Sequence, residues 1–182
     1  MTRNSIQVED MVLSFPGQWE VEDFDAWYGS GAAAKPLTNS PFKAKDCDVL
    51  ALSEGVLWLI EVKDYTYPGK KIPEDLHDTF ALKVFHTLAR LMSVAHFGQH
   101  DRKNFCRRAI NAKEIRVALA IESRGDDRKL LIALAGLKDR LEKGCRPMGI
   151  TRVTVSNSRI EGNGVEWSQK RSSEARLRHS DR

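Results

Sequence analysis

Cysteine is scarce in this chain and comes without pattern. Cys47, Cys106 and Cys145 are an odd number with no CxxC pair, which argues against a disulfide framework and against a thiolate zinc site. They read as buried or idle thiols. No apolar run approaches the roughly 20 residues a membrane-spanning helix needs, and the polar opening MTRNSIQVED lacks the basic-then-apolar layout of a secretion signal. The expectation is a soluble, cytoplasmic protein with no membrane partner. Internal repeats are absent too, and 182 residues suffice for one substantial core but not for two ordinary domains.

Charge of one sign is also in short supply. The formal net charge is +4, and the segment from Gln169 onward carries five Lys/Arg against two Asp/Glu, or +3, which leaves the body near +1. The expected organisation is therefore a single domain over residues 1–168 followed by a basic, disordered tail at 169–182. Such a balance is compatible with a polyanionic partner without requiring one.

What is present is a run of clear elements. Met11 to Tyr28 is ambiguous between strand and helix, with strand preferred, and Gly29 to Lys43 reads as a long loop bordering a site. DVLAL (Asp48 to Leu52) and VLWLIEV (Val56 to Val62) flank Ser53-Glu54-Gly55 and read as a β-hairpin. Their near-continuous apolar character calls for cover on both faces of a sheet. Ala81, Val84, Phe85, Leu88, Leu91, Met92 and Ala95 repeat at three and four, predicting a helix from about Glu74 to Phe97 whose apolar stripe lies on that sheet. A basic, partly helical connection leads to a strand at Ile115 to Glu122. A helix stopping at Gly144 follows, then strands at Thr151 to Ser156 and at Val165 to Trp167. The fold class is α/β: a three-layer core with a mixed central sheet, the hairpin within it, and helices on both faces.

The chemistry concentrates where acidic residues and a lysine interrupt the hairpin strands. Burying such charges costs several kcal/mol each unless they are paired or hold a cation. Loop parity decides whether they meet. With Glu54-Gly55 as the turn, opposed residues sum to 109, so Asp48 faces Glu61 and Asp46 faces Lys63, all on one face. A three-residue loop would turn Asp48 away unless a bulge restored the register. Side-by-side carboxylates favour a hard divalent cation, Mg²⁺ or Mn²⁺, which keeps waters that a phosphate can displace. The Val62 side chain enters the other layer while its backbone carbonyl can reach the ion. Lys63 suits the handling of an attacking water and of phosphate charge, so the expected reaction is phosphodiester hydrolysis.

The segment from Lys45 to Tyr65 resembles the PD-(D/E)XK nuclease superfamily, the restriction-endonuclease-like fold, in its Asp48 and its Glu61-Val62-Lys63. Within it, DVLALSEGVLWLIEVKDY followed by Gly69 looks like the nuclease-related-domain type. The resemblance implies a metal-dependent nuclease, with Asp48 and Glu61 as metal ligands and Lys63 as the catalytic lysine. Cys47 stands where the motif has proline. For the acidic residue of the leading helix, Glu20 and Glu22 are the candidates. The expected substrate is nucleic acid, DNA ahead of RNA. The alternative is a catalytically silent nucleic-acid-binding or assembly module, and a homodimer or larger protein complex is compatible with either.

Other features carry less. Thr79, Lys83, His86 and Arg90 recur on one side of the long helix and are candidates to reach a phosphate backbone, Lys83 first. Arg102, Lys103, Arg107, Arg108, Lys113 and Arg116 form the strongest basic patch of the body, with ordinary solvation as the bland explanation. His96 and His100 have metal-pair spacing without the glutamate of HExxH. Trp19, Trp27, Trp58 and Trp167 are counted as core rather than base-stacking residues.

Overall fold

The computed structural model describes residues 3–28, 44–97, 101–160 and 164–172. The loop expected at Gly29 to Lys43, as well as His100, lies outside them. Strand β1 (Arg3–Val8) pairs antiparallel with β2 (Met11–Pro16), which pairs antiparallel with β8 (Ser168–Arg171). A second sheet runs β3 (Glu20–Asp23), β4 (Val49–Ser53), β5 (Val56–Tyr65), β6 (Glu114–Ser123), β7 (Val153–Ser156). Its first three strands are antiparallel neighbours and its last three are parallel. The parallel steps are bridged by helices α1 (Leu76–Phe97) and α2 (Lys103–Ile110), then by α3 (Asp127–Cys145), as parallel pairing demands.

The hairpin turn obeys its sequence. Glu54 and Gly55 have φ of 51° and 80°, the two left-handed residues of a type I′ turn, whose twist matches that of the flanking strands. Ser53 pairs with Val56 and the register runs to Val49 opposite Ile60, every pair summing to 109.

Because side chains alternate along each strand, the five-stranded sheet builds two cores. Leu50, Leu57, Leu59, Val117, Leu119 and Ile121 pack under the helices. Val49, Ala51, Trp58, Ile60, Ala118 and Ala120 pack against Met11, Leu13, Phe15 and Trp167 of the smaller sheet side. The expectation of helices on both faces is corrected: α1, α2 and α3 all share one face, and the three-stranded sheet covers the other. The signal for β1 is weak because its strand pattern starts in a polar segment and one of its faces stays wet.

Other boundaries move for physical reasons. Gly144 does not stop α3; a Cβ there would sit 3.2 Å from that of Ala81, so the glycine permits close approach of α3 to α1, and the helix runs on to Cys145. The strand expected at Val165 to Trp167 lies at Ser168–Arg171 instead. Ordered chain thus extends past residue 168: Gln169 is buried, donating to Glu122 Oε1 and accepting from Ser156 Oγ, while residues 173–182 lie outside the description. The cysteines and all four tryptophans are buried.

Glutamate at a left-handed position is strained where asparagine is not. Glu54→Asn should therefore raise stability by about 0.5 kcal/mol, and Gly55→Ala should lower it by about 1 kcal/mol, in urea unfolding.

Candidate metal and phosphate site

β5 runs on to Tyr65, past the Val49–Ile60 pair where the β4 ladder stops, and this puts Asp48 beside residues 60–62 of β5, where the alternation rule requires the acidic residues. The N–H of Asp48 donates to the Ile60 carbonyl at 3.0 Å, and Asp48 Oδ2 accepts the Val62 N–H at 2.6 Å. Glu61 follows Leu57 and Leu59 on the helix-facing side, and α1 meets it there. Lys83 Nζ lies 2.6 Å from Glu61 Oε1 and 3.7 Å from Asp48 Oδ1. Lys63 Nζ contacts the same Glu61 oxygen and donates to the Val62 carbonyl at 3.0 Å. Asp48, Glu61 and Lys63 are therefore brought together as the hairpin parity requires, with the Val62 carbonyl beside them.

The electrostatics are those of a crowded, dry carboxylate pair. Glu61 is 1% exposed and its Oε2 has no hydrogen-bond partner. Burial first, then the charge of Asp48, pushes its carboxyl up to about 7 against the pull of Lys63 and Lys83. Burial alone would lower the Lys83 ammonium, but Glu61 and Asp48 outweigh it and hold it above its ordinary value. Among the described residues no three His, Cys, Asp or Glu side chains converge as a cage for a metal ion.

Asp46 does not face Lys63. It is buried against Arg90 of α1, Oδ2 to Nη2 at 3.0 Å, because the β4 ladder ends at Val49 and the chain before it turns to the helix. The same side of α1 holds Cys47, whose N–H donates to Thr87 Oγ1 at 2.9 Å, and His86 Nδ1, which lies 3.1 Å from the Lys45 nitrogen. The row read as a phosphate-facing side, Thr79 apart, thus clamps residues 45–48 and Glu61.

Glu20 and Glu22 do not join the site. Glu22 binds Arg102 at 2.7 Å and Glu20 binds Arg108, so two members of the basic patch tie α2 to β3. Arg107 Nε donates to the Ala95 carbonyl at 3.3 Å, Arg116 pairs with Glu114 at 2.8 Å, and Lys103 is half-buried. His96 is exposed at the end of α1. The acidic residue that does couple to the site is Asp25, which sequence reasoning missed. Burial, then Asp48 and Asp23, raise its carboxyl, and Lys83 and Lys63 lower it. The available signal was register: β3 opposes β4 with pairs summing to 72, and the Phe24 N–H donates to the Asp48 carbonyl at 2.9 Å. Residue 25 follows directly.

Comparisons with known proteins are sparse. Over 84 residues the chain is 38% identical to part of the cysteine–tRNA ligase of Neisseria meningitidis serogroup A, a match covering 41% of this chain. The chain spans only 12% of that ligase's length. No protein-family model and no solved structure matches. What fold and site define together is an α/β protein with two carboxylates and two lysines gathered where a sheet meets a helix.

Burial, opposed by Arg90 and His86, raises the Asp46 carboxyl from 3.8 to about 6. The folded state thus binds this proton more tightly than the unfolded chain. The associated stability is full below about pH 4, declines as pH rises towards 6, and is flat above. Arg90→Met leaves the carboxylate without its guanidinium, which should cost about 3 kcal/mol at pH 8. Urea unfolding should show a much smaller loss at pH 4, where Asp46 is neutral in both proteins; an equal loss at both pH values would contradict the ion-pair account.

Proposed function

We propose that the protein is a metal-dependent nuclease of the restriction-endonuclease-like type, acting through Asp48, Glu61 and Lys63. The single observation that carries the reading is the juxtaposition of two buried carboxylates, one with an unpartnered oxygen, and a lysine at the end of an apolar hairpin. A fold gains no stability from such a cluster, since buried ion pairs are typically no better than apolar replacements. Functional sites are where that cost recurs.

The donor set fits Mg²⁺ or Mn²⁺: Asp48, Glu61 and the Val62 carbonyl are all hard oxygens, and Mg²⁺ commonly takes only one or two protein carboxylates and completes its shell with water. When bound, such an ion supplies a Lewis acid for a phosphoryl oxygen and lowers the pKa of a water. The protein's own residues do the rest. Asp48 is fixed by the Val62 N–H and cannot swing away. Lys63, with a side chain 31% exposed, reaches solvent and is the group to hold the attacking water, whose oxygen bonds to phosphorus as an ester P–O bond breaks and the leaving oxygen takes up a proton. Lys83 is the second cation, available to phosphate once it leaves Glu61.

One observation favours the silent module instead. Lys63 and Lys83 match the two carboxylates charge for charge, so ion pairing by itself accounts for the cluster. The substrate arm also includes RNA, since the similar protein is a tRNA ligase.

The deciding experiment incubates the protein with single-stranded DNA, duplex DNA and tRNA, with Mg²⁺, Mn²⁺ or EDTA. Cleavage should require the metal and fall by about 100-fold or more in Glu61→Ala and Lys63→Ala. Binding without cleavage would support the module. Metal binding itself is read by thermal shift: Lys83→Met removes a competing ammonium, so Mg²⁺ should raise its melting temperature more than that of the unmodified protein.

A further inference from the structure

The apolar stripe of α1 is wider than the sheet needs. Val84, Leu91 and Ala95 are buried as the periodicity predicts, but Phe85 and Met92, expected to face the sheet, are 56% and 50% exposed, and Leu82 is 53% exposed. Of the six large exposed apolar residues among those described, four belong to this helix. The exposed positions are ordered. Asp78, Leu82, Phe85, Ala89, Met92 and His96 are all exposed and follow one another at spacings of four, three, four, three and four. That is the alternation that keeps a seam straight along one side of a helix.

We infer that this stripe is the seam of a homodimer in which two copies of α1 pack antiparallel about a two-fold axis. The occupant is argued from the stripe's complementarity to itself. A two-fold contact requires that if residue i meets residue j, then j meets i. An antiparallel pairing centred on position 87 sets Phe85 against Ala89 of the partner subunit, Leu82 against Met92 of the partner subunit, and Asp78 against His96 of the partner subunit. Large therefore meets small at the centre, and medium meets medium outside it. At each end an acid meets an imidazole. A parallel pairing would instead stack Phe85 on its own copy and Asp78 on its own copy, losing the volume match and opposing like charges.

The helix has 22 residues and so is about 33 Å long, enough for the whole seam. Lys83 leaves α1 on the side facing the sheet, so pairing leaves both carboxylate sites uncovered. The inference is independent of the nuclease reading.

The test is the oligomeric state of the full chain by sedimentation equilibrium at roughly 10 to 200 µM, the range in which a seam smaller than a standard interface associates. The unmodified protein should dimerise. Phe85→Glu and, separately, Ala89→Arg should shift it to monomer with unchanged circular dichroism, since neither position is buried. If Phe85→Glu fails to fold, Ala89→Arg decides. Leu82→Cys combined with Met92→Cys should cross-link on oxidation, while Leu82→Cys alone should not. The native cysteines are buried and should contribute little. A monomer at every concentration overturns the proposal, including a monomer in which the Leu82→Cys thiol resists maleimide because another segment covers it. So does a dimer that survives both charge substitutions, or efficient cross-linking of Leu82→Cys alone, which would make the pairing parallel.

Discussion

The ammonium of Lys83 held at 2.6 Å from Glu61 Oε1 is the contact on which the arrangement of the helical layer turns. Glu61 is almost fully buried in the middle of β5, after five apolar residues, so its charge is cut off from solvent. A buried carboxylate must be paired or protonated. The helix that supplies the pairing is thereby fixed in rotation, and its next turns carry Thr87 and Arg90 to Cys47 and Asp46. One helix face therefore supports the whole approach to β4.

The opposite face of the same strand does a different job. Val62 sends its side chain into the core between the two sheets, while its N–H is held by Asp48 and its carbonyl by Lys63. Packing on one side and polar bonds in the strand plane leave residues 61–63 little freedom. That rigidity suits a site whose groups must stay in register. The aromatic cluster below them, with Trp58 and Trp167 rings 5.0 Å apart and nearly perpendicular, makes the support stiff rather than merely apolar.

The legibility of these features follows from their range. The turn at Glu54-Gly55 and the parity it imposes depend on adjacent residues, so the meeting of Asp48 with Glu61 was readable. Lys63 was readable for the same reason. What Asp46 meets depends on where the ladder ends and on a helix some forty residues away, and hairpin arithmetic cannot contain that. Asp25 was hidden because its relation to Asp48 passes through β3, a strand that the ambiguous stretch after Met11 does not announce. Phe85 and Met92 fit the helical period as well as Val84 and Leu91 do; periodicity marks an apolar side but not its width. The placement of all helices on one face was likewise beyond the pattern, since covered sheets read alike whether a helix or a second sheet covers them.

The charge balance of the site bears on how the proposed nuclease would work. Among Asp48, Glu61, Lys63 and Lys83 the formal charges cancel. Entry of a divalent cation alone would leave this buried cluster with two uncompensated positive charges, and Lys83 would have to give up Glu61 to make room. A phosphodiester arriving with the ion supplies negative charge and gives the displaced ammonium a new partner. Each therefore lowers the cost of admitting the other, and linkage makes that help reciprocal. On this reading the second lysine is not a flaw in the metal site. In the proposed nuclease it would position the carboxylates through its contacts with Glu61 and Asp48 and would tie metal occupancy to the presence of a polyanion.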